Sequence, residues 1–146
     1  MFRLPGKFKS ACAVLFTLFA SALWARSNVT VFADGLNNPR GLKFGPDGNL
    51  YVAEGGAGGT TSSTGLCDQV VPPIGPYTGG YTARISKIIP DGTRTTVIDG
   101  LPSDQTSAAQ GSLVSGVADV AFLDGKLYAL LAGAGCSHGL AGRTMA

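Results

Sequence analysis

FGPDGNLYVAEGGAG (residues 44–58) and FLDGKLYALLAGAG (residues 122–135) are two copies of one pattern, and that pattern decides the fold. Phe44 matches Phe122, Asp47-Gly48 matches Asp124-Gly125, and Leu50-Tyr51 matches Leu127-Tyr128, with one residue deleted from the second copy. In each copy an Asp-Gly turn separates two short runs of β-formers. This is a hairpin signal, because glycine supplies the positive φ of a tight turn without steric cost. VFADGL (31–36) and TVIDGL (96–101) repeat in the same way. The period, 77 residues from Leu50 to Leu127, marks a supersecondary unit used more than once.

Working outward, five Asp-Gly pairs punctuate the chain (at Asp34, Asp47, Asp91, Asp99 and Asp124). Between them the sequence predicts strands at 29–33, 40–44, 49–53, 84–89, 94–98, 117–122 and 126–131, with long polar loops at 55–82 and 102–115. The turns force antiparallel neighbours, which argues against a solenoid of parallel coils. Four antiparallel strands per repeat is the unit of a β-propeller. The expected fold class is therefore all-β: a partial β-propeller of about one and a half four-stranded antiparallel blades, ring incomplete, after an N-terminal signal helix. Blade one is expected over about 40–98 and a partial blade two over about 117–146, within a domain at 28–146. Residues 29–33 match the fourth, outer strand of a blade. A propeller needs at least four blades to close, so the chain reads as a truncated N-terminal piece.

Residues 1–25 read as a signal peptide. Arg3, Lys7 and Lys9 precede thirteen residues of apolar character, ACAVLFTLFASAL (11–23), and Ala20-Ser21-Ala22 is a small-x-small cleavage site with Ala25 as a second candidate. Cys12 lacks the context of a lipoprotein cysteine. Cleavage after Ala22 removes three basic residues, turning 11 basic against 9 acidic into 8 against 9. The positive charge thus belongs to the leader, and a nucleic-acid partner is not expected. Nor is a membrane association expected once the leader is cut, so the localisation expected is secreted or periplasmic. Cys67 and Cys136 remain in a chain bound for an oxidising compartment, where an even count suggests a disulfide. Such a bridge closes about 70 residues and is worth about 4 kcal/mol in the chain-entropy picture. A pair of free buried thiols, or a bridge from either cysteine to one in the missing part of the propeller, is the alternative.

GLNNPRGLKFGPDGNLYVAEGG (35–56), CDQVVPPIGPYTGG (67–80), ARISKIIPDGTRTTVIDGLPS (83–103) and GVADVAFLDGKLYALLAGAGCSHG (116–139) together resemble the ScyD/ScyE family of secreted, NHL-type propeller proteins. The cysteine-flanking segments are specific, whereas PDGNLYVAE is generic to propellers. The closing LAGRTMA (140–146) departs from the family's pattern. The resemblance implies fold and export more than chemistry.

An antiparallel meander puts turns 45–48, 90–92 and 123–125 at one end of the blades and loops 55–82, 102–116 and 132 onward at the other. Glu54, Cys67, Asp119, Cys136 and His138 are expected near that long-loop face, where propellers commonly bind ligands. Glu54, Asp119 and His138 are the candidate ligand-binding residues. Glu54, the sole glutamate, is also a candidate cation ligand, since hard cations such as calcium take oxygen donors; the plainer role is a carboxylate held by loop amides or Arg40. Asp119 can point into a channel or satisfy turn amides. His138, the sole histidine, rules out a zinc site built from several histidines. GCSHG (135–139) fits the G-x-S-x-G pattern, but no acid or histidine follows it, so no nucleophile elbow is expected. GGAGG (55–59) lacks the lysine of a phosphate cradle. Asn28-Val29-Thr30 is a glycosylation sequon, relevant only in a eukaryotic secretory route. No catalytic residues are expected. The expectation is a binding or scaffold module taking a small molecule or protein at the long-loop face. The alternative is a metal-dependent, lactonase-like or sugar-oxidising propeller enzyme.

Overall fold

The tight turns determine where this chain pairs with itself. In the first, the Gly45 amide donates to the Asn49 carbonyl (2.9 Å), the Gly48 amide donates to the Gly45 carbonyl (3.0 Å), and Gly48 takes φ +75°. Asp47 closes the turn by accepting from the Asn49 amide and from the Tyr51 hydroxyl. The structure, a computed structural model, describes residues 29–141. The leader at 1–25 and Asn28 of the sequon lie outside them. The described residues from Val31 onward belong to one compact unit.

Seven strands follow in order: β1 (Pro39–Phe44), β2 (Leu50–Glu54), β3 (Thr78–Ile88), β4 (Arg94–Gln105), β5 (Val114–Ser115), β6 (Val117–Leu123) and β7 (Lys126–Leu131). The only helical pieces among the described residues are two 3-10 turns, Ala108–Gln110 and Cys136–His138. The protein is all-β. The first five strands form one sheet in sequence order, every neighbour antiparallel, and β6 pairs with β7 in a second sheet.

The internal repeat is also a repeat of register. Phe44 pairs with Leu50 and Lys43 with Tyr51 in the first hairpin; Phe122 pairs with Leu127 and Ala121 with Tyr128 in the second. Each hairpin carries its register shift at the same place, just before Leu42 in β1 and between Val117 and Asp119 in β6.

Three strand expectations need correction. Residues 29–33 form no strand; from Val31 the segment instead runs over the sheet, where Val31, Phe32 and Leu36 share a groove with Leu42 and Ile88. Second, β3 begins at Thr78, earlier than the expected residue 84. Third, β4 continues to Gln105, past the Asp99-Gly100 pair expected to end it. The reason lies in the register: Ile85 faces Ile98 while Ala83 faces Leu101, so β4 carries one residue more than β3 between them. Asp99-Gly100 is a bulge, with Gly100 at φ +65°, and a bulge bends a strand without stopping it. The extended β4 then recruits β5 inside the expected 102–115 loop, making a five-stranded sheet from the expected four.

Alternation gives the sheet one face toward the second hairpin. Ala53, Ala83 and Ile85 pack against Val117 and Val120, with Tyr51, Leu101, Leu127 and Leu131 around them. Tyr51 and Phe122 meet edge to face, centroids 4.9 Å apart. The inner strands come closest where Gly41 of β1 faces Asp119 of β6, matched positions of the two repeats. A Cβ on Gly41 would sit 2.0 Å from Asp119 Oδ1 and 2.8 Å from the Asp119 Cα. Because backbone is among the atoms struck, Gly41→Ala is expected to push the hairpin off the sheet at a cost of about 1–3 kcal/mol. Chemical denaturation measures this, and an unchanged midpoint would refute the close approach.

A candidate binding rim at the long-loop end

The loop between β2 and β3 leaves Leu66, Val71 and Ile74 exposed, so its position depends on specific ties. Ser103 in β4, fully buried, donates to the Gly55 carbonyl (2.7 Å) and accepts from the Gly58 amide (2.9 Å). Thr61 and Gly79 exchange backbone hydrogen bonds at 2.8 and 3.0 Å. Farther along, Cys67 is bonded to Cys136, with Cα atoms 6.2 Å apart, and the Ser63 hydroxyl donates to the Cys136 carbonyl. The disulfide ties the loop of the first repeat to the turn that follows the second, as the cysteine spacing suggested. Gly79 admits this turn because it has no side chain: a Cβ there would lie 2.6 Å from the His138 carbonyl oxygen.

Beneath the turn lies Asp104, 1 % exposed, on the extended part of β4. Its Oδ2 is buried and has no hydrogen-bond partner. A Cβ on Gly133 would lie 2.5 Å from Asp104 Oδ2 and 3.2 Å from His138 Nε2, so the carboxylate and the imidazole both close over this glycine. The His138 ring leans on Tyr77, centroids 4.9 Å apart, and its Nδ1 lies 3.1 Å from Ser137 Oγ. Burial raises the Asp104 carboxyl above its ordinary range, and the nearby charge of His138 works in the opposite direction. A buried carboxylate oxygen without a donor is costly. The arrangement therefore favours any group that brings a donor to Oδ2.

The candidate residues fall into three separate environments. His138 is on this rim. Glu54 is completely buried at the end of β2, where Oε2 accepts from Arg84 Nε (2.9 Å) and from the Asn37 amide, and Oε1 accepts from Ser86. A loop amide was expected among its partners, but the cation is Arg84 and not Arg40, whose guanidinium bonds the Val114 carbonyl. Burial alone would raise the Glu54 carboxyl, but the bonds from Arg84, Asn37 and Ser86, with the Arg84 charge, outweigh it and hold the group below its usual range. Asp119 is exposed on β6, accepts from the Val120 amide through Oδ1, and packs against Gly41. Among the described residues no three of His, Cys, Asp and Glu converge as a metal site. GCSHG forms a 3-10 turn closed by left-handed Gly139, not a strand-to-helix elbow.

Asp104 and Tyr77 were missed. In the stretch PSDQT an aspartate reads as an exposed loop residue, and only the bulge at Asp99-Gly100 carries it into the sheet. A sole histidine between Ser137 and Gly139, two residues after a cysteine, was the available signal.

No protein-family model, no curated protein and no solved structure matches this chain. The rim is therefore interpreted from its own chemistry. No helix among the described residues is long and apolar enough to cross a membrane.

Proposed function

We propose that this chain is an exported β-propeller-type module of the ScyD/ScyE kind, which binds a ligand at the rim around Asp104 and His138 and performs no chemistry of its own. The observation that carries this reading is the buried, unpartnered Asp104 Oδ2, which with His138 Nε2 closes over Gly133 near a loop pinned by a disulfide. The matched register of the two hairpins supports repeated blades, and the disulfide supports an oxidising compartment. Support for cation-dependent catalysis is weaker, because both oxygens of Glu54 are engaged by protein donors.

A carboxylate beside His138, whose ring leans on Tyr77, suits a ligand with a cationic or donor group attached to a flat apolar body. Benzylamine is a minimal probe, and benzoate of the same shape is its control. In amide-resolved NMR titrations, benzylamine is expected to shift residues 132–139 saturably while benzoate does not. Asp104→Asn is expected to weaken the amine about tenfold, the loss of one charge-assisted hydrogen bond. Equal response to both probes, or indifference to Asp104→Asn, would refute this assignment.

A further inference from the structure

The interface between the two repeats is built from one face of each; on the opposite faces Leu42, Phe44, Tyr128 and Leu130 stay exposed, while Val52 and Ile88 of the first are buried beside the 31–36 segment. Tyr51 stands on the face of repeat one that receives Phe122 from repeat two. By the repeat match, Tyr128 is the second copy of Tyr51 and Phe44 is the first copy of Phe122. Both stand exposed, Tyr128 at 52 % and Phe44 at 68 %. The same holds one pair farther along. Leu130 matches Ala53, and Leu42 matches Val120. Ala53 and Val120 form part of the core, while Leu130 and Leu42 are 64 % and 59 % exposed.

We infer that these two open faces are halves of a head-to-tail contact between copies of this chain. In it, Tyr128 and Leu130 of one copy dock on Phe44 and Leu42 of the next, reproducing the Tyr51–Phe122 packing between molecules. Two further observations commit the faces to each other. The groove beside Leu42, Leu50 and Phe32 holds about 320 Å³, room for Leu130 where the internal interface accommodates only the smaller Ala53. The face around Tyr128 and Leu130 carries a groove of matching size, also about 320 Å³, lined by Ala121, Tyr128 and Leu130. A contact between two different faces is heterologous, so each added copy leaves one face free and growth continues until a ring closes or a filament forms. This inference is independent of the rim's ligand, since it uses neither Asp104 nor His138.

The test is sedimentation velocity on the chain purified from the periplasm of a bacterial host, with the disulfide intact. The unmodified chain is expected to associate with rising concentration. Phe44→Glu and Tyr128→Glu, each at an exposed position, are each expected to weaken that association at least about tenfold, as loss of a buried aromatic anchor does. An equimolar mixture of the two variants is expected to restore association but stop at a heterodimer, because each variant retains one sound face. The doubly substituted chain is expected to remain monomeric and join neither. Circular dichroism confirms that the variants are folded. A monomeric unmodified chain, as when another segment covers the faces, would overturn the inference. So would association that survives in the double variant, as leader-driven clustering would, or a mixture of singles that stays monomeric.

Discussion

Cys136→Ser is expected to lower the free energy of unfolding by about 4 kcal/mol, the value for cross-linking residues 69 apart when the constraint acts mainly on the unfolded chain. For a domain with total stability of about 5–15 kcal/mol, this is a large share. The loss should be concentrated at the rim. The 55–77 loop leaves Leu66, Val71 and Ile74 exposed, and the Cys136 carbonyl that receives Ser63 lies in the bridged turn. Cys67→Ser is expected to cost the same, and the double variant no more than either single one, since all three break one bond. Guanidinium unfolding measures the total, and amide exchange at Thr61 and Gly79, which hydrogen-bond each other under the loop, reports the local part. A loss under about 1 kcal/mol would show that the loop is held by its hydrogen bonds and that the bridge is incidental.

Glu54→Ala is the second large effect, expected to cost about 3 kcal/mol. Removing one partner of a buried pair strands the other, and here it also strands the Asn37 amide and the Ser86 hydroxyl. The estimate sits at the low end of the usual range because the Arg84 side chain is 22 % exposed and regains some water. Glu54→Gln keeps the volume and should cost less. Its distinguishing effect is on pH. The Glu54 carboxyl is lowered on folding, so the unfolded chain binds the proton more readily. The stabilisation is thus fully present above the ordinary carboxylate range and is lost as pH falls through the folded value. Asp104 has the opposite sign: its carboxyl is raised, so its share of stability declines as pH rises from the ordinary value through the folded one. The slope below about pH 5 should therefore flatten in Glu54→Gln and steepen in Asp104→Asn. Parallel slopes in both variants and the parent would contradict these two placements.

The two hairpins were the most legible part of the chain, because a tight turn and its flanking strands are neighbours in sequence and their chemistry is local. Phe44 to Leu50 and Phe122 to Leu127 pair as the repeat predicts. The Asp99-Gly100 pair was misread for the same reason. An Asp-Gly pair accommodates a turn or a bulge equally well, and the choice rests with the strand opposite, where Ala83 and Ile85 continue the pairing. Residues 29–33 have the composition of a strand yet form none, because composition does not set a backbone ladder.

By itself, then, the sequence determined the all-β class, the antiparallel order, the pairing of each tight hairpin and the two cysteines available for a bridge, since all of these depend on local turn chemistry and alternation. Tertiary structure alone decided which carboxylates are buried and by what. Glu54 became a structural ion pair because β3 sets Arg84 and Ser86 opposite it. Asp104 became the rim's unpartnered acceptor because a bulge extends β4 beneath a turn more than thirty residues later in the chain. Burial is a property of what covers a residue, and in this chain the covering residues are distant in sequence.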